Sequence, residues 1–131
     1  MPGGSEHILF VDDEPMQTDL ALKILVPIGY HVQAFNDSMA ALEAFRSSPD
    51  GFDLIVTDMY MPKMNGKKLA SMIHDLRPRT PIILCSGYAD GRVADPEENG
   101  HIDDYLTKPF GMRELALTLR KVLDRSAGDD G

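Results

Sequence analysis

The stretch HILFVDDEPM, residues 7–16, runs an apolar segment straight into three acids and a proline. Ile8, Leu9, Phe10 and Val11 form a continuous apolar run short enough for a buried strand. Asp12, Asp13 and Glu14 then stand together at its mouth, and Pro15 starts something new. Like charges held close together cost free energy unless something compensates them. One account is a solvated turn with a helix N-cap. The other is a cation site.

Working outward, the same figure recurs. LIVT (54–57) is apolar, strand-like and ends in Asp58. TPIILCS (80–86) is a further strand ending in Ser86, and DDYLT (103–107) another, followed by Lys108-Pro109-Phe110. YHVQAF (30–35) alternates and reads as a more exposed strand. Between these lie helical spacings. Met16, Leu20 and Ile24, with Ala21 and Leu25, predict a helix from Pro15 that Pro27 and Gly29 end. Asp37 or Ser38 caps a helix carrying Met39, Leu42 and Phe45. Leu69, Met72, Ile73 and Leu76 stand at spacings of a helix face, as do Met112, Leu115, Ala116, Leu119, Val122 and Leu123 across 112–125. Gly91 and Pro96 interrupt the remaining segment. A short or mobile element is expected across 89–101, capped by Asp95 and ordered on phosphorylation or dimerisation.

Alternating strands and helices imply a parallel sheet covered on both faces. In such sheets ligands bind outside the carboxyl ends of the strands, at a topological switch point. Asp12, Asp13, Asp58, Ser86 and Lys108 all lie at carboxyl ends, and so on one rim.

Composition narrows the classes. The 131 residues suit one domain with a real core. A formal net charge of -8 argues against a nucleic-acid module, which needs clustered Lys and Arg. No apolar run approaches the roughly 20 residues of a membrane span, and MPGGSEH lacks the pattern of a secretory signal. The single cysteine, Cys85, cannot form an internal disulfide, which points to a cytoplasmic setting. Residues 1–5 read as a linker or tag remnant and 126–131 as a disordered tail, leaving 6–125 as the domain.

Three carboxylates, a hydroxyl and an ammonium converge if the strands neighbour one another. Mg²⁺ prefers oxygen ligands, keeps several waters and needs only one or two carboxylates. A carboxylate can attack phosphorus to give an acyl phosphate. Phosphoryl transfer asks mostly for positioning and for neutralisation of the moving group's oxygens. Mg²⁺, Lys108 and Ser86 supply one partner each.

These motifs together resemble a two-component response-regulator receiver domain: DDE after the first strand, TDMYMPKMNG around Asp58, SG after the fourth strand and KPF after the fifth. The resemblance runs from about Glu6 to about Arg125. It implies a flavodoxin-like, CheY-like three-layer α/β/α fold with a five-stranded parallel sheet in the order 2-1-3-4-5. By position, Asp58 resembles the phosphoacceptor and Asp13 the direct Mg²⁺ ligand. Asp12 would hold the metal mostly through water, with the backbone carbonyl of Tyr60 as a further ligand. Ser86 and Lys108 resemble the residues that grip the phosphoryl group. Tyr105 resembles the aromatic switch residue, and Lys108-Pro109 is where the family carries a cis peptide. The implied partner is a histidine kinase or histidine phosphotransfer domain, with a homodimer on phosphorylation also admitted. The wording HILFVDDEP, PIILCSGY and MRELALTLRKVL is most like the C-terminal receiver of a hybrid sensor histidine kinase.

Other readings are weighed beside this one. Glu14 reads as a first-turn acid near the helix dipole rather than a ligand. Tyr60 and Tyr88, each two residues past a site residue, are expected over the rim, restricting the water that would hydrolyse a phosphoaspartate. His7, His31, His74 and His101 are scattered without ligand spacing, and Cys85 reads as a small core residue. An aspartate-nucleophile phosphohydrolase would place its nucleophile after the first strand in a DxDxT-like motif, which is not the pattern here. A pseudo-receiver that only binds protein would not need all five site positions.

Overall fold

The computed structural model describes residues 3–87 and 101–129. Tyr88, and the element expected across 89–101 apart from His101, lie outside the described residues. The strands are β1 (His7–Val11), β2 (His31–Phe35), β3 (Leu54–Asp58), β4 (Ile82–Gly87) and β5 (Asp104–Lys108). The described helices are α1 (Pro15–Leu25), α2 (Ser38–Ser47), α3 (Gly66–Leu76) and α4 (Met112–Asp129), with a 3-10 turn over Pro49–Gly51.

All neighbouring strands pair in parallel, in the order β2-β1-β3-β4-β5. Period-two alternation divides the apolar residues between two cores. Ile8 and Phe10, Leu54 and Val56, Ile83 and Cys85, and Leu106 face α1 and α4. Leu9 and Val11, Ile55 and Ile82 face α2 and α3. β3 is buried throughout, whereas β2, at the edge, is half-exposed. Each fully buried Leu, Ile or Phe contributes about 1.5–3 kcal/mol, so the apolar runs are what hold the sheet in register beneath the rim.

Local chemistry sets the helix ends. Asp37 caps α2 by accepting from the Met39 N–H at 3.1 Å, and Asn65 caps α3 by accepting from the Lys68 N–H at 2.8 Å. Past α1 the chain turns at Gly29 with φ 110°, a conformation open to glycine at little cost.

Three expectations need correction. In α1 the buried stripe is Thr18, Ala21, Ile24 and Leu25, while Met16 is 79% exposed and Leu20 is also exposed. Among the described residues the helix packs chiefly on β1, β2 and α4, and its apolar arc is wider than that contact. Glu14 is the N-cap residue of α1 rather than a first-turn acid, and its side chain makes no capping bond. The last helix continues past Arg125 to Asp129, since no Gly or Pro precedes Gly128 to stop it.

Within the segment read as a linker, the Gly4 N–H donates to the Ile28 carbonyl at 3.2 Å. Arg120 Nη1 donates to the Gly3 carbonyl at 3.1 Å. Among the described residues, no helix is long and apolar enough to cross a membrane.

Candidate functional site

Asp12, Asp58 and Lys108 each stand two residues beyond a residue of the α1/α4 core: Phe10, Val56 and Leu106. Alternation therefore aims all three side chains to the same side of the sheet, at its carboxyl end. β1 neighbours β3 and β4 neighbours β5, with Asp58 opposite Cys85 and Lys108 opposite Gly87. The charges meet there. Lys108 Nζ lies 2.7 Å from Asp12 Oδ2 and 2.9 Å from Asp58 Oδ1. Asp13 joins them, with one carboxylate oxygen from each of Asp12, Asp13 and Asp58 inside a 4.8 Å group.

Burial sharpens the electrostatics. Asp12 is 2% exposed and Asp58 8%. Burial pushes the Asp58 carboxyl above the usual carboxylate range; the Lys108 hydrogen bond opposes this and the neighbouring charge of Asp12 adds to it. For Lys108, burial works against the charged form, yet the hydrogen bonds to Asp12 and Asp58 hold its ammonium well above the ordinary lysine range. Three carboxylates against one ammonium leave two negative charges. A hard divalent cation with oxygen preference fits that donor set.

The surroundings brace the acids. The Asp12 N–H donates to the Phe35 carbonyl at 3.0 Å, and Asp12 Oδ1 accepts from the Glu14 N–H at 3.0 Å. Beyond Asp58, the Met59 N–H donates to the Cys85 carbonyl at 2.7 Å, and the Gly66 N–H returns to the Met59 carbonyl at 2.8 Å. Gly66 packs so tightly that a Cβ there would strike the Asp58 carbonyl oxygen. Cys85, fully buried, lies close enough to Lys108, Asp58 and Asp12 for their charges to act on its thiol, which burial pushes up. It forms part of the site's floor, as its reading as a core residue implied.

The remaining sequence-derived residues are placed as follows. Ser86 is half-buried, one position past the register partner of Asp58, and makes no side-chain hydrogen bond among the described residues. Tyr60 is 60% exposed. Tyr105 is half-buried on β5, opposite Leu84, and burial pushes its phenol up. The Lys108–Pro109 peptide is cis, as expected. The histidines are not scattered in space: His7 stacks on His31 with centroids 4.6 Å apart, and His74 meets His101 at 4.0 Å. Parallel register brings the first pair together, at the end of the sheet opposite the rim.

Sequence reasoning missed two supports. Asn36 Nδ2 donates to the Asp12 carbonyl at 2.9 Å and to Thr18 Oγ1 at 3.0 Å. The second is Gly66, whose missing Cβ lets α3 close on the Asp58 backbone. A single sequence carries no signal for the first, because its partners lie 24 and 18 residues away.

Residues 8–120 match the family model described as the response regulator receiver domain. The alkaline phosphatase synthesis transcriptional regulatory protein SphR of Synechococcus elongatus is 35% identical over 131 residues, covering 93% of this chain and 50% of that protein. A two-component response regulator of Oryza sativa subsp. indica is 31% identical over 123 residues, covering 94% of this chain and 18% of that protein. The chain thus spans half or less of the length of these curated relatives. Among solved structures, a response regulator receiver domain protein from Clostridium thermocellum superposes with a TM-score of 0.85 at 25% identity, covering 93% of this chain and 97% of that one. A CheY-like receiver domain protein from Methanospirillum hungatei gives 0.81 at 27% identity, covering 96% and 99%.

Proposed function

We propose a phosphoacceptor role, and its premise is plain: this chain belongs to the response regulator receiver domain family. The domain takes a phosphoryl group onto Asp58 from the phosphohistidine of a histidine kinase or histidine phosphotransfer domain. The observation that carries this reading is the position of Lys108 Nζ, shared between Asp12 and Asp58 at 2.7 and 2.9 Å.

An Asp58 carboxylate oxygen attacks phosphorus while the P–N bond breaks and its electron pair leaves with the imidazole nitrogen. Asp58 suits this because burial strips water from the attacking oxygen. Lys108, already beside Asp58 Oδ1, holds a phosphoryl oxygen once that carboxylate has become an acyl phosphate. Bound Mg²⁺, held by Asp13, Asp58, the Tyr60 carbonyl and, through water, Asp12, would neutralise charge on the phosphoryl oxygens. Ser86 donates to the remaining oxygen and moves toward it. Tyr105 fills the space left, which biases a two-state output surface on α4 and β5. Exposed Tyr60, with Tyr88, screens the acyl phosphate from water, so Tyr60→Ala and Tyr88→Ala should dephosphorylate faster; unchanged rates would remove that role.

Such a domain transfers a phosphoryl group to itself and sheds it slowly, without turnover of a separate substrate. The best nucleophile follows β3 rather than β1, which disfavours a phosphohydrolase. The proposal includes a cytoplasmic location, where a kinase finds its ATP. The proposal extends to a hybrid-kinase parent on the wording HILFVDDEP, PIILCSGY and MRELALTLRKVL; the relatives named above are a transcriptional regulatory protein and a two-component response regulator. Intact mass after incubation with acetyl phosphate and Mg²⁺ tests the reading. Wild type should gain one phosphoryl group and Asp58→Asn none; equal labelling of both would refute it.

A further inference from the structure

We propose that Asn36 is a positioning residue that orients the peptide between Asp12 and Asp13 and so sets the affinity of the acidic pair for a divalent cation; this rests on the phosphoacceptor reading for the identity of the metal. The carbonyl of Asp12 and the N–H of Asp13 belong to one planar peptide unit. Whatever fixes that plane fixes the relative direction in which the two carboxylates leave the chain.

Two bonds reach this region from the end of β2. The Asp12 N–H donates to the Phe35 carbonyl at 3.0 Å, continuing the β1–β2 ladder one rung past the last paired residues, Val11 and Phe35. The next rung comes from a side chain. Asn36 Nδ2 donates to the Asp12 carbonyl at 2.9 Å, standing in for the backbone donor that a longer β2 would present. Its second hydrogen goes to Thr18 Oγ1 at 3.0 Å. Thr18 is 4% exposed and passes its own hydroxyl hydrogen to the Pro15 carbonyl at 3.0 Å.

The network has one consistent direction. The Asn36 amide nitrogen spends both hydrogens, the Thr18 hydroxyl accepts one and donates one, and both carbonyls accept. A flipped amide would set its oxygen against the Asp12 carbonyl, so the orientation is determined. Asn36 thereby ties three elements to one peptide plane: β1 through Asp12, α1 through Thr18, and the start of the segment leading to α2. Stability of the α2 cap does not account for it, since Asp37 performs that task alone.

Partners of metal ligands commonly shift metal affinity by about 10–100-fold when removed. Calorimetric titration of Mg²⁺ into the unphosphorylated domain at 25 °C reads the effect without any phosphoryl chemistry. Asn36→Ala should weaken binding about tenfold, and Thr18→Val, which leaves the amide one acceptor, by a smaller factor. Asn36→Asp distinguishes position from charge. An added carboxylate beside three others would strengthen Mg²⁺ binding if charge alone mattered, whereas loss of both donated bonds should weaken it.

Circular dichroism and thermal midpoints accompany each titration, and only variants folded at 25 °C are compared. Should Asn36→Ala not fold, Thr18→Val and Asn36→Asp decide the matter. Weakened binding by folded variants supports the proposal. A lowered thermal midpoint with unchanged Mg²⁺ affinity would overturn it and leave a purely structural bond. Tighter binding by Asn36→Asp would overturn it in favour of charge. Wild type that takes up no Mg²⁺ would overturn the metal assignment itself, a result distinct from either of these.

Discussion

Replacing Lys108 with methionine removes the ammonium while keeping a side chain of similar length. At 2.7 and 2.9 Å, each ion pair of Lys108 carries about 6 kcal/mol of gross attraction at an effective dielectric near 20. Against this stands the cost of taking the ammonium out of water, which is several kcal/mol for a buried ion; the Lys108 side chain is 19% exposed. Removing one partner of such a cluster leaves Asp12 and Asp58 buried and uncompensated, a loss of about 3–5 kcal/mol. That is a large share of the roughly 5–15 kcal/mol stability of an ordinary domain.

The pH dependence identifies the cause. Without Lys108, the hydrogen bond and positive charge that hold Asp58 down are gone, while burial and Asp12 still push it up. The folded variant then binds a proton that the unfolded chain, with carboxyls near 4, releases. Stability lost at pH 8 should therefore return as pH falls toward 5. Urea unfolding at both pH values, with and without Mg²⁺, measures this. Mg²⁺ at a hundredfold excess over its Kd should add about 2.7 kcal/mol. A loss below about 1 kcal/mol at pH 8, unchanged at pH 5, would show that Lys108 does not compensate the buried acids.

Three further outcomes follow from other contacts. Gly66→Ala would drive a Cβ into the Asp58 carbonyl and the Leu84 side chain; it should cost about 1–3 kcal/mol in urea unfolding and slow labelling by acetyl phosphate. The first turn of α3 carries Lys67 and Lys68 and no acid, against the helix dipole; Lys67→Glu and Lys68→Glu should each raise stability by about 0.3–1 kcal/mol at low salt, and less at high salt, in thermal melts. Hydrogen bonding from Arg120 lowers the Glu6 carboxyl below its ordinary range despite partial burial. That contribution is present above about pH 4.3 and is lost as pH falls through the folded value; Arg120→Met should remove this acid-sensitive component, and an unchanged slope of stability between pH 5 and 3 would contradict it.

The legible part of the molecule is the part that repeats locally. An apolar run ending in a charged residue says that a strand is buried and that its carboxyl end carries chemistry. Asp12 and Asp58 obeyed that pattern, whereas Lys108 follows the mixed segment DDYLT, and β1, β3 and β5 lie close to the segments quoted for them. Helix rotation was less legible, because amphipathic spacing gives an apolar arc without saying how much of it a neighbour covers. Met16 and Leu20 sit in the arc of α1 but outside its contact. The contacts between distant segments left no trace at all. Arg120 Nη2 meets Glu6 Oε2 at 2.7 Å across 114 residues of chain, and nothing near either residue announces the other.

The same division separates the chemistry from its precision. The acids and the lysine reach the rim because period-two alternation carries each strand's inner face outward past the last buried rung, a consequence of local pattern and parallel register. That mechanism delivers groups to a rim but does not set the angle between them. The angles depend on a side-chain amide from the end of β2 and on a glycine that lets α3 press against the Asp58 backbone. Substitutions of the first kind should abolish phosphoryl transfer whatever the metal concentration. Substitutions of the second kind should shift its metal dependence while leaving a saturable reaction. A set of variants sorted by that criterion would separate the residues that act at the site from those that aim them, even though the aiming contacts fall on the backbone of the same two residues, Asp12 and Asp58.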